Sequence, residues 1–189
     1  MNVYDFDNTV FSGDSTTKFY LFVLRRNPKL LPKVLRVGAA GVQLLTHRMP
    51  LRLFKETLFR SFLPSIDVEK EVRAFWRHNH KHMKKWYLEQ KRDDDVISSA
   101  SPEFLLAPIA EKLGVRLIAS PVDPKTGALV GTNNRHMEKV RRFRERFPQA
   151  TVDEFYSDSV KSDGPMAEMA RKAYLVKGNQ IKPWPSMMQ

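Results

Sequence analysis

The stretch that decides the fold is Val3-Tyr4-Asp5-Phe6-Asp7-Asn8-Thr9. The run from Asn2 to Phe6 reads as a short strand, along which side chains alternate between two faces. Asp5 and Asp7 fall at its end, where the chain turns and strict alternation lapses. Two carboxylates this close repel each other unless a cation or a proton sits with them. An oxygen-ligand metal such as Mg2+, held by one or two carboxylates and a substrate phosphate, would meet that need. A polar strand-to-loop turn centred on Asn8 is the plainer alternative for this stretch alone.

Downstream, Asp14 or Ser15 caps a helix over residues 16–26, which stops near Asn27-Pro28. Residues 30–45 are apolar with Lys33 and Arg36 interrupting. This segment reads either as a buried cap helix, the favoured expectation, or as a segment lying on anionic lipid. Residues 50–62 form an amphipathic helix, and Asp67 caps another running to about Gln90. His78 and His82 share a face of that helix, but no further ligands accompany them, so a solvated basic face is expected there. After residue 92 the pattern changes to strands at 96–99, 115–119, 153–156 and 173–176, with helices between them and a hairpin or flap at 121–131. Strand alternating with helix argues an α/β fold with a parallel sheet, whose site lies beyond the carboxyl ends of the strands.

Charge divides the 189-residue chain. Residues 18–92 hold 18 Lys/Arg against 5 Asp/Glu, whereas the remainder is nearly balanced within a total of +11. A basic module implies an anionic neighbour such as a phosphorylated substrate, acidic lipid or nucleic acid. There is no cysteine, hence neither disulfide nor thiolate chemistry. No leader-like segment opens the chain and no apolar run reaches the length of a membrane span, so a cytoplasmic location is expected, with peripheral contact at an anionic membrane as an extension of it.

Several strand ends and one helix carry an ordered set of groups: Asp5, Asp7 and Thr9 after the first strand; then Ser99 in Ile97-Ser98-Ser99-Ala100-Ser101-Pro102; then Lys139, on the helix after the flap, in Glu138-Lys139-Val140; then Asp158 and Asp163 in Tyr156-Ser157-Asp158-Ser159-Val160-Lys161-Ser162-Asp163. This order resembles the four motifs of the haloacid dehalogenase-like (HAD) phosphatases, and the surrounding residues are similar to the phosphoserine-phosphatase-like branch. The resemblance implies a Rossmann-like α/β core formed by residues 1–14 and 93–189, with a helical cap, residues 15–92, inserted after the first strand. It implies Asp5 as nucleophile and Asp7 as general acid and base. Ser99 and Lys139 become phosphate-binding groups, and Thr9 is grouped with them as support for the loop. Mg2+ is then held by Asp5, Asp7 through its backbone carbonyl, Asp158 and Asp163. Ser98 and Ser101 compete with Ser99 for its position, Lys139 sits among arginines that suggest a solvated face, and Asp163 lies one residue further from Asp158 than is usual.

The cap loosely resembles that of phosphatidylglycerophosphatase C through its Arg-Arg-Asn-Pro-Lys-Leu-Leu-Pro opening. The expected substrate is a small or amphiphilic phosphate monoester, phosphoserine-like or a lipid phosphate. The competing expectation is a module with little or no catalysis that binds acidic lipid or RNA through the basic cap. Nucleic acid is disfavoured because no regular basic–aromatic platform is present.

Overall fold

In the computed structural model, which describes residues 1–185, the opening strand is short. β1 spans only Val3–Tyr4, because the chain turns from Asp5 onward and Asn8 takes a left-handed backbone, φ 57°. The remaining strands are β2 (Val96–Pro102), β3 (Arg116–Ser120), β4 (Val152–Ser157), β5 (Ala170–Lys177) and β6 (Gln180–Pro183). They form one sheet in the order β3-β2-β1-β4-β5-β6. Every pairing is parallel except the antiparallel edge of β5 with β6. The expected α/β fold with a Rossmann-like parallel sheet is therefore present, and β6 is a strand that the pattern of residues did not announce.

Alternation along the strands sends side chains to two apolar layers. Tyr4, Ile97 and Tyr156 enter one layer, with Phe19, Phe75, Leu105 and Ile109. Val3, Val96 and Phe155 enter the other, with Val140, Phe143 and Met166. The first layer is covered by α1 (Ser15–Arg26), α4 (Val68–Asn79) and α6 (Glu103–Leu113); the second by α7 (Met137–Arg146) and α8 (Val160–Met169). Tyr4, Tyr156 and Tyr174 stand in register across three strands. Their rings stack at 4.9 and 4.8 Å, a cross-strand ladder that holds β1 against β4 and β4 against β5.

Five helices lie between β1 and β2: α1, α2 (Leu31–Leu45), α3 (Leu51–Phe62), α4 and α5 (Lys85–Gln90). Asp14 caps α1 by accepting from Thr17 N, and Asp67 caps α4 by accepting from Lys70 N, as their sequence positions suggest. The helix expected from Asp67 to Gln90 is broken in two at a 3-10 turn, His80–His82. The cause is the turn after β1, which takes over the backbone there. Ser12 N donates to His82 O at 2.9 Å and Lys84 N donates to Val10 O at 2.8 Å. His78 and His80 set their rings against the Ala74 and Trp76 carbonyls of their own helix. No helix among the described residues is long and apolar enough to cross a membrane.

The favoured expectation that residues 30–45 form a buried helix does not hold. The helix forms, but within α2 only Ala40 is buried. Pro32 is accommodated in its first turn, where a missing N–H costs nothing.

Candidate active site

The carboxyl ends of β1, β2 and β4 open onto one cleft of about 400 Å3. Asp5 continues β1, its N–H donating to Tyr156 O at 2.8 Å, and its carboxylate faces into the cleft. Lys139 rises from the first turn of α7. Its Nζ lies 2.7 Å from Asp5 Oδ1 and 3.0 Å from Asp163 Oδ2, and the residue is only 1% exposed. The solvated-face alternative for this lysine is thereby excluded. Burial alone would weaken the Lys139 ammonium, but the facing Asp5 and Asp163 carboxylates outweigh it and raise its pKa.

The acids crowd one another. Burial pushes Asp5 up to about 7; the Lys139 charge opposes this, while Asp163 and Asp7 add to it. Asp7 is pushed up to about 6, by burial first and by the charge of Asp14 next. Two donors hold its carboxylate, Ser15 N at 2.6 Å and the Ser101 hydroxyl at 2.5 Å. Asp158, after β4, is raised mainly by burial, with the Lys177 charge opposing. Asp163, in the first turn of α8, accepts from Ser157 Oγ at 2.6 Å.

Asp5, Asp7, Ser99, Lys139, Asp158 and Asp163 all line the cleft. Thr9 does not. It is fully buried, with its hydroxyl lacking a hydrogen-bond partner. Grouping Thr9 with the substrate-binding residues is thus corrected: it is a buried member of the turn after Asp7, its N–H donating to Phe6 O at 3.3 Å. Ser99 Oγ accepts from Ser101 N at 3.1 Å. Ser101, two residues further and so on the same face of the strand, turns its hydroxyl to Asp7, a role that its spacing could have suggested.

Sequence reasoning missed two cations. Lys55 reaches in from α3, donating to Ala100 O at 3.0 Å and to Asn133 Oδ1 at 3.4 Å, and burial lowers its pKa. Its signal was a lysine on the apolar face shared by Leu51 and Leu58. Arg135 enters from the segment before α7, its guanidinium donating to Ser162 Oγ at 2.7 Å; nothing in its local sequence marks it.

The donor set suits a partly coordinated Mg2+. Among the described residues no group of three or more His, Cys, Asp or Glu side chains is gathered so as to hold a metal ion by itself. Mg2+ does not need one, since substrate oxygens and water fill out its shell. Asp163 Oδ1 is buried and makes no well-aligned hydrogen bond, although the Lys139 ammonium lies 2.9 Å from it. The cleft also sets five acids (Asp5, Asp7, Asp14, Asp158, Asp163) against three bases (Lys55, Arg135, Lys139), an excess of negative charge that an anionic substrate would worsen.

A family model for haloacid dehalogenase-like hydrolases matches residues 3–168. The chain belongs to this family. Protein CicA of Caulobacter vibrioides is 30% identical over a 199-residue alignment that covers 92% of this chain and 84% of that one. A solved structure of a protein of unknown function from Bordetella pertussis Tohama I has a TM-score of 0.78 at 20% identity, covering 92% and 87% of the two chains. A phosphoserine phosphatase solved with bound substrate gives 0.57 at 12% identity, over 90% and 82%. This haloacid dehalogenase-like hydrolase thus has the fold expected from its motifs, that of the phosphoserine-phosphatase-like branch.

Proposed function

We propose that the chain is a Mg2+-dependent phosphatase that hydrolyses a phosphate monoester through a covalent phosphate on Asp5. The buried Asp5–Lys139 pair at 2.7 Å, set at the end of β1 in the same cleft as Asp7, carries this reading. An Asp5 oxygen attacks phosphorus as the bond from phosphorus to the leaving oxygen breaks, and protonated Asp7 gives its proton to that oxygen. The Asp7 carboxylate then takes a proton from water as the water oxygen attacks phosphorus, releasing phosphate and restoring Asp5. A pKa near 6 suits a group that must both give and take a proton near neutrality. Lys139 and Ser99 hold phosphate oxygens.

Asp5, the Asp7 backbone carbonyl, Asp158 and Asp163 would hold Mg2+, where Asp5 is already paired with Lys139 and Asp163 with both Lys139 and Ser157. Bound there, the ion offsets repulsion between the anionic nucleophile and the anionic substrate. Residues 15–92 act as the cap, and residues 1–14 and 93–189 as the core, in a cytoplasmic enzyme. The cap contributes Leu51, Phe54, Lys55 and Leu58 to the cleft wall, an apolar surface with one cation that accommodates a small or an amphiphilic phosphate monoester.

The test is phosphate release from 4-nitrophenyl phosphate with Mg2+ and with chelator, for the wild type and Asp5→Asn. Turnover that needs Mg2+ and vanishes in the variant is expected. A folded, Mg2+-supplied wild type that stays silent on this probe and on a panel of soluble and micellar phosphate monoesters would overturn the proposal in favour of a binding module.

A further inference from the structure

One outer face of α2 is apolar and uncovered. Leu31, Val34, Leu35, Val42 and Leu45 are exposed, Leu35 to 79% and Leu45 to 81%. Their spacing places them on a single helical stripe, which Gly38 and Ala39 continue and leave flat. The opposite face carries buried Ala40 and rests on α3, where Gly41 lies against the Phe54 ring. A continuous apolar stripe of this length is not the ordinary scatter of surface hydrophobics.

The charge around the stripe has one sign. Between Asp14 and Glu56 there is no acidic residue, and there are nine Lys/Arg. Lys29, Arg36, Arg48 and Arg52 among them are exposed. A second copy of the chain would bring these cations against their own kind. An anionic lipid surface offers acyl chains to the stripe and phosphates to its rim. At about 1.5 Å per residue, the 15 residues of α2 span roughly 22 Å, too short to cross a bilayer but suited to lying along it.

We propose that α2 docks in the plane of an anionic lipid bilayer, with Leu35 and Leu45 toward the acyl chains and Lys29, Arg36, Arg48 and Arg52 at the headgroups. The surface goes beyond the hydrolytic reading and does not depend on it. The two are nonetheless joined in the fold, because the helix on which α2 rests also walls the cleft.

The experiment is co-sedimentation of the full chain with vesicles of phosphatidylcholine containing a quarter phosphatidylglycerol, and with vesicles of phosphatidylcholine alone. The wild type is expected to partition onto the anionic vesicles and less onto the neutral ones, and added salt should weaken it as exposed charges are screened. The double variant Leu35→Asp/Leu45→Asp is expected to lose at least about tenfold in partition. Both positions face water, so its circular dichroism and its turnover of 4-nitrophenyl phosphate should match the wild type. In a second arm, Leu35→Trp should shift its emission to the blue on adding anionic vesicles. Equal partition of wild type and double variant would overturn the proposal. So would a wild-type dimer that the double variant dissociates while neither protein binds vesicles. Because sedimentation needs no catalysis, a failure here is distinct from a failure of the phosphatase reading.

Discussion

Gly127 offers a sharp test of how the flap meets the cap. The flap folds back through a bridge between Val122 and Leu129, both buried. Its tip places Gly127, φ +71°, against the backbone of α3. A Cβ there would lie 2.5 Å from Arg60 N and 2.6 Å from Phe59 O, and closer still to the Phe59 carbonyl carbon. Gly127→Ala therefore carries two costs. A left-handed backbone costs an alanine about 1–2 kcal/mol, and forcing flap and helix apart adds about 1–3 kcal/mol. Gly131, φ +81° with nothing within 4 Å of where a Cβ would sit, isolates the first cost. Urea unfolding should give a loss of about 1–2 kcal/mol for Gly131→Ala and about 2–5 kcal/mol for Gly127→Ala. Equal losses within about 0.5 kcal/mol, the level at which independent effects usually agree, would refute the close approach of flap and helix.

Ser101→Ala should move the pH profile of the phosphatase. The Ser101 hydroxyl donates to the Asp7 carboxylate and lowers its pKa, so removing it should carry Asp7 above its value of about 6 and shift the alkaline limb of kcat/KM upward; an acid shift or none counts against the assignment. Trp76→Phe keeps an aromatic ring but removes the Nε1–H that donates to the Leu105 carbonyl at 2.6 Å; a loss of about 0.5–1.5 kcal/mol is expected in urea, and a neutral result would show that α4 and α6 are not joined there. Lys84 donates to the carbonyls of Asn8 and Gly178, so Lys84→Met should cost about 1.5–3 kcal/mol and lower kcat more than it raises KM, because Asn8 follows Asp7, the acid proposed to move the proton; unchanged kcat in steady-state assays would deny it that positioning role.

The readable parts of the chain were those whose physics is local. Asp14 and Asp67 announce helix starts because each carboxylate accepts a backbone N–H three residues on. Gly114 announces a helix end because it takes a left-handed backbone, φ 69°. The acids, Ser99 and Lys139 could be brought together because their order along the chain resembles the four motifs of the haloacid dehalogenase-like phosphatases. What escaped needed partners far away in sequence. The break at His80–His82 is caused by Val10 and Ser12, and Lys55 gains its meaning only from a cleft some 45 residues downstream at Ala100. The strand β6 is uniformly exposed, so no alternation of apolar residues marked it. Exposure of α2 could not be foreseen either, since an apolar helix has the same composition whether it is covered or bare.

The place of β1 in the sheet has a consequence for synthesis. Its two residues pair with β2, more than ninety residues later, and with β4, about 150 residues later. At a translation rate of about 5–20 residues per second, the strand carrying Asp5 waits on the order of ten seconds or longer for its second neighbour to be made. During that interval the ribosome holds a nascent chain whose apolar first strand lacks at least one partner and whose cleft is incomplete, because Asp158 and Asp163 arrive after β4. Stalled or prematurely ended chains should thus be inert towards substrate and dependent on chaperones, and activity should arise only as the last third of the polypeptide emerges.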